Sequence, residues 1–151
     1  MELPQNLIHF IEEKLEMKNM ALPWNYPSLD NFDAFQAGYR FNANTLEDVT
    51  GIEGEFDVNW FVICSNYFDD PFFINILEIE SEFPVYFAQH GQGQWVPIKI
   101  SENISLFSNQ LKQIKELENN KDLLLDKLKT QFDLENKLWK EVYESTFEDE
   151  E

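Results

Sequence analysis

Few side chains in this 151-residue sequence stand where chemistry would need them. His90 lies in the run Gln89-His90-Gly91-Gln92-Gly93-Gln94-Trp95. A general base needs an orienting partner, and a nucleophile must sit within hydrogen-bond reach of it. The nearest acids in sequence are Glu80 and Glu82, and no Ser-His-Asp order can be read around them. His90 therefore reads either as a residue ordering a glycine turn between two strands or as a binding contact. Asp69-Asp70 offers hard oxygen ligands to a divalent cation. Directly before Pro71 and without a spaced third ligand, the pair fits a turn whose side chains accept backbone N–H groups. Gly91 and Gly93 invite comparison with a phosphate loop, but such a loop opens a helix and usually carries a Lys. Here Trp95 begins an apolar, strand-like run instead. Cys64, inside an apolar segment, reads as a small buried hydrophobe. As a lone cysteine it excludes an intramolecular disulfide and a cysteine-built zinc site. The sequence predicts no catalytic residue, no metal site and no cofactor. Tyr67 and Trp95, large aromatics beside turns, are equally suited to anchor an interface or to pack in the core.

Charge says more than any motif. Twenty-nine acids against 11 bases give a net charge of −18. Phosphate contacts need Lys and Arg, so binding to nucleic acid or to an anionic membrane is disfavoured. A basic partner is the natural complement. The distribution is uneven. From Phe41 to Ile98 there is no Lys or Arg, yet this stretch holds Glu47, Asp48, Glu53, Glu55, Asp57, Asp69, Asp70, Glu78, Glu80 and Glu82. A folded unit built from it must project a one-sided negative field. The content of 43% apolar and 15% aromatic residues is incompatible with a disordered chain. No basic-then-apolar leader opens the sequence, and the longest unbroken apolar run is Trp60 to Cys64. A cytoplasmic protein with no membrane association is expected.

The elements that must position these residues follow from periodicity. Leu3, Leu7, Ile8, Phe10, Ile11 and Leu15 predict an amphipathic helix to about Met17, with Pro4 in its first turn. Residues 21–36 read as irregular before a short helical turn. Tyr39-Arg40-Phe41 predicts the start of a strand, and Thr45-Leu46-Glu47-Asp48 a capped helical turn. Four strands are then expected: Trp60–Cys64, buried on both faces, Phe72–Leu77, Pro84–Ala88 and Trp95–Ile100. Their short links predict an antiparallel meander. Ser101-Glu102 opens a helix carrying Leu106, Phe107, Leu111 and Ile114. Asn119-Asn120 breaks it, and Lys121 to Tyr143 reads as one further helix of roughly 35 Å. Gln131 and Glu135 interrupt the apolar stripe of that helix, which argues for docking on the parent domain over a coiled coil.

Four fragments in order carry a resemblance: Trp60-Phe61-Val62-Ile63-Cys64, Asp69-Asp70-Pro71-Phe72-Phe73-Ile74-Asn75, Pro84-Val85-Tyr86-Phe87 and His90-Gly91-Gln92-Gly93-Gln94-Trp95. Upstream, Phe35 to Phe41 and Thr45 to Val49 fit the same pattern. Over about residues 20–111 the chain resembles the SUKH superfamily, which is named partly after a yeast cell-wall-synthesis regulator. The resemblance implies an α+β fold with a central, mostly antiparallel sheet of four to six strands and flanking N- and C-terminal helices. It places the domain at residues 1–115, leaving 116–146 as a helical extension and 147–151 as an acidic tail. It also implies a role without catalysis. Many bacterial members are immunity proteins that neutralise toxins, often nucleases, delivered between competing cells.

Charge and resemblance meet in one expectation: a monomer, or weak dimer, that neutralises a basic toxin domain. Nuclease toxins bind phosphate and are basic on the active face, so an acidic partner is steered there and excludes substrate. The expected contact residues are Tyr67, Asp69, Asp70, Glu78, Glu80, Glu82, His90 and Trp95. A scaffold or regulator with a housekeeping protein as partner is the alternative.

Overall fold

A computed structural model describes residues 2–149. Helix α1 (Gln5–Glu13) is followed by an irregular segment, a single helical turn α2 (Phe32–Phe35) and a long loop to residue 59. Strands β1 (Trp60–Ser65), β2 (Pro71–Asn75), β3 (Val85–Phe87) and β4 (Ile98–Ser101) form one antiparallel sheet in the order β1-β2-β3-β4. Helices α3 (Ile104–Glu116), α4 (Lys121–Gln131) and α5 (Lys137–Glu148) complete the chain. The expected α+β class and meander are what the chain adopts, with four strands.

Alternation along the strands builds two cores. Phe61, Ile63, Phe72, Ile74, Val85 and Phe87 face the helices, where Leu7, Phe10, Phe107, Leu111, Leu128 and Trp139 cover them. Trp60, Val62, Phe73 and Tyr86 face the opposite side, where Phe35 of the single-turn α2 is the one helical contact among the described residues. There the long loop folds back, and Phe56 plugs the sheet with its ring 5.0 Å from Phe73, 5.6 Å from Trp60 and 5.4 Å from Trp95. The molecule is thus three layers: helices, sheet, and an aromatic-pinned loop layer.

Both edges of the sheet are covered, by side chains and, at Ser65, by the backbone of Asn25. An open edge strand is a template for unwanted pairing. At β1, buried Gln36 accepts the Val62 N–H (2.8 Å) and donates to Val62 O (2.9 Å), mimicking a neighbouring strand. Asn25 bridges Ser65 farther along. At β4, Asn136 donates to Lys99 O and the Trp139 indole to Ile100 O, each at 2.9 Å. The C-terminal helices therefore dock on their own domain: Leu124, Leu128, Phe132, Leu138 and Val142 belong to the same core as α1 and the sheet.

Several expected elements are corrected, mostly because Asn and Asp side chains compete for backbone amides. The first helix ends at Glu13, not Met17: Lys14 turns left-handed (φ 45°), and the Met17 N–H pairs with Pro23 O. Tyr39–Phe41 makes isolated bridges only, from Ala37 to Phe41 and from Phe41 to Asp48. The expected helical turn at Thr45–Asp48 is absent, because Asn42 takes the amides of Asn44 and Thr45 while Leu46 adopts φ 64°. The second strand stops at Asn75, whose side chain caps a 3-10 helix at Ile76–Ser81 by accepting the Leu77 N–H. The fourth strand starts at Ile98, since the Trp95 N–H leaves the sheet for Gly54 O. The third helix opens on Asn103 as cap, and the single terminal helix is two: Asp133 and Asn136 accept the amides of Glu135 and Leu138 and break it. Helix α5 runs on through Phe147 and Glu148, into the expected tail, whose last two residues lie outside the described residues.

Candidate partner-binding face

A meander puts alternate connections at the same end of the sheet. The β1–β2 turn (66–70) and the β3–β4 loop (88–97) share one end, while the 3-10 helix between β2 and β3 occupies the other. With six residues in β1, the two ends are roughly 20 Å apart. The single patch expected from Asp69, Asp70, Glu78, Glu80 and Glu82 is therefore split. Tyr67, Asp69, Asp70, His90 and Trp95 gather at one end; Glu78, Glu80 and Glu82 stand at the other.

The first group is built around Asn66. Its buried side chain accepts the Phe68 (2.9 Å) and Asp70 (3.0 Å) amides, an Asx-type turn that forces Asp69 to φ 64°. Asp69 is consequently exposed and Asp70 buried. The carboxylate of Asp70 accepts the His90 backbone N–H at 3.0 Å and meets His90 Nδ1 at 2.6 Å. Asp70 is thus a brace that ties the β3–β4 loop to the β1–β2 turn, which corrects its place among the contact residues. His90, its side chain 56% exposed, is ordered by this contact and presents its other face. The partner missed from sequence lies 20 residues away, brought close by a strand pair and not by spacing.

Trp95 is only partly exposed, packed on Phe56 and on Tyr39 (5.8 Å). The Tyr39 hydroxyl donates to Asp69 O at 2.7 Å, and its ionisation is pushed well up, by burial first and then by the Asp69 carboxylate. Phe35, Tyr39, Ser65, Asp69, His90 and Trp95 line a cavity of about 410 Å³. Neither Phe35, Tyr39 nor Ser65 carries a sequence signal for this, because they come from the end of α2, a loop and the end of β1, which only the fold brings together. Tyr67 is 61% exposed and meets Phe68 edge-on. At the far end, Glu78 is half-buried and accepts the Tyr86 hydroxyl (2.8 Å), while Glu80 and Glu82 are exposed beside exposed Leu77 and Ile79. Burial and the Glu78 carboxylate push the Tyr86 phenol up to about 12.

Between the two ends, on the loop layer, lie five more exposed acids: Glu47, Asp48, Glu53, Glu55 and Asp57. Every lysine sits elsewhere, on α3 to α5, just after α1, or at Lys99 of β4. Arg40, the one base entering this layer, is tied down: its guanidinium donates to Val58 O (2.8 Å) and Trp60 O (2.6 Å) and lies 3.9 Å from the Phe61 ring centre. The charge asymmetry of the sequence thus becomes an asymmetry of faces. Among the described residues, no three His, Cys, Asp or Glu side chains group as a metal site, and no helix is long and apolar enough to cross a membrane. Cys64 is buried, and burial pushes its thiol well up. Compared with known proteins, the chain matches no family model, no curated protein and no solved structure.

Proposed function

We propose that this chain is a non-enzymatic immunity protein that binds and neutralises a basic, nuclease-type toxin domain through its loop layer. One observation carries the reading: eight of the ten acids between Phe41 and Ile98 are exposed (Glu47, Asp48, Glu53, Glu55, Asp57, Asp69, Glu80 and Glu82), with no lysine among them. Such a face attracts a phosphate-binding surface at long range and occupies it in place of nucleic acid. Its mechanism is exclusion, and it needs no reaction. The resemblance to the SUKH superfamily supports the same role. Solubility alone would be served by mixed charges. It does not call for a loop layer without lysine, with every lysine but Lys99 of β4 on the helices or just after α1.

The test is rescue. Toxin domains encoded beside this gene are induced in a heterologous host with the wild-type chain or with Glu53→Lys/Glu55→Lys/Glu80→Lys, three exposed positions whose side chains make no hydrogen bond among the described residues. The proposal expects survival with the wild type and death with the variant at equal folded abundance. Equal survival with both would overturn the role of the acidic face. Absence of rescue for every toxin tried, with folded protein present, would overturn the immunity reading.

A further inference from the structure

We propose that the cavity between the Asp69–Asp70 turn and the His90–Trp95 loop is a receptor for an organic cation: the guanidinium or ammonium end of an arginine or lysine side chain. The proposal deepens the reading of a basic partner, and rests on it only for what delivers the cation. Three rings line the space, Phe35, Tyr39 and Trp95, and the last two stand 5.8 Å apart at 56°. The faces of such rings attract a cation through their quadrupole, more strongly where water is thinned out. Asp69 stands at the wall, its carboxylate near enough to act on the Tyr39 phenol, and Asp70 lies behind His90. No Lys or Arg lines the cavity among the described residues, so an anion there would meet two carboxylates and no counter-charge.

Hydrogen-bonding capacity points the same way. A neutral His90 that donates its Nδ1–H to Asp70 leaves Nε2 as an acceptor. Asn25 Nδ2 is turned to Ser65 Oγ (3.5 Å), which leaves the amide oxygen to accept as well. Acceptors, a carboxylate and aromatic faces suit a many-donor planar cation, whereas a phosphate or a carboxylate ligand would need donors. The Tyr39 hydroxyl at the wall is already given to Asp69 O. At about 410 Å³ the cavity is within the range of small-ligand pockets, roughly 300–1,000 Å³.

The experiment uses the full chain and no toxin, so its outcome is independent of whether the immunity reading stands. Nitrogen–proton correlation spectra are recorded while N-acetyl-arginine methylamide is added, and again with N-acetyl-citrulline methylamide, the neutral analogue of nearly the same shape. Saturable shifts are expected at Gly38, Ser65, His90 and the Trp95 indole for the arginine probe, with the citrulline probe about tenfold weaker. Asp69→Asn is expected to weaken the arginine probe by about fivefold. Asn tolerates the left-handed conformation of this position, so the fold is retained. Glu12→Lys, an exposed change on α1 far from the cavity lining, is expected to leave affinity within about twofold. Shifts that grow without saturation and spread over the whole acidic face would overturn the proposal. So would equal affinity for both probes, or an Asp69→Asn variant that titrates like the wild type.

Discussion

Replacing Asp70 by Ala tests whether the brace between the β1–β2 turn and the β3–β4 loop is structural. In the wild type its carboxylate accepts two bonds from His90, backbone N–H at 3.0 Å and Nδ1 at 2.6 Å, with a longer contact to Asn66 Nδ2 at 3.4 Å. A hydrogen bond to a charged group contributes about 1.5–3 kcal/mol net when both partners are buried. Here the His90 side chain is 56% exposed, so its ring regains water and returns little of its share, whereas the carboxylate is only 9% exposed. One full bond and part of a second give a loss of about 2 kcal/mol. For a chain of this length, that lowers the thermal midpoint by roughly 4–8 °C. Asp69→Asn, next door but exposed and in a conformation Asn tolerates, should move it by less than about 1 °C. The assay is differential scanning calorimetry on the two variants and the wild type at pH 7. A midpoint for Asp70→Ala within about 2 °C of wild type would refute the reasoning. Equal losses in both variants would refute it too, because the two adjacent acids would then share one environment.

Gln36→Leu keeps the side-chain size but strips Val62 of both edge partners; a loss of about 2–4 kcal/mol by urea unfolding is expected, with concentration-dependent aggregation from the opened β1 edge. Trp139→Ala removes a ring packed at a tilt 4.7 Å from Phe132 and the bond to Ile100 O, and should cost about 3–5 kcal/mol, seen as a single cooperative transition moved down by on the order of 10 °C. Separate melting of α4–α5 would show instead that the helical extension is a unit of its own. Tyr26, Tyr39 and Tyr86 all have raised phenol ionisation in the folded state, each chiefly through burial. Their contribution is complete below pH of about 10, the ordinary phenol value, and is lost as pH climbs through the folded values. Stability is thus expected to fall from pH 10 toward 12, and Tyr86→Phe to flatten part of that fall in chemical-denaturation curves. Glu13, held below the usual carboxylate range by Lys112 (2.6 Å) and Ser108 (2.9 Å) despite the opposing effect of burial, ties α1 to α3. Its contribution is complete above pH of about 4.5 and is lost as pH falls through the lowered folded value, so Glu13→Gln should be destabilising by about 1 kcal/mol at pH 7 and by progressively less on acidification.

Strand and helix identities were legible because burial imposes a period. Trp60 to Cys64 is apolar at every position since both faces of β1 are covered, and Phe107, Leu111 and Ile114 recur at helical spacing because they face one core. Boundaries were less legible. Asn42, Asn75, Asn103, Asn120 and Asn136 each take backbone amides with their side chains, and that competition decides where helices start and turns replace them. Hydrophobic period carries no trace of it. The candidate face was legible as a charge count and not as a geometry. The absence of bases from Phe41 to Ile98 fixed its sign, yet the division of its acids between two ends of the sheet follows from meander topology. The Asp70–His90 contact and the cavity with Phe35, Tyr39 and Ser65 join residues from separate parts of the chain, and no local pattern announces such a meeting.

The most direct test of the central claim is amide hydrogen exchange on the chain alone and saturated with the toxin domain from which it rescues. The account predicts slowed exchange in residues 42–57 and 88–97 and at the 66–70 turn, with α3, α4 and α5 unchanged. Protection confined to α3–α5, where the lysines lie, would contradict it.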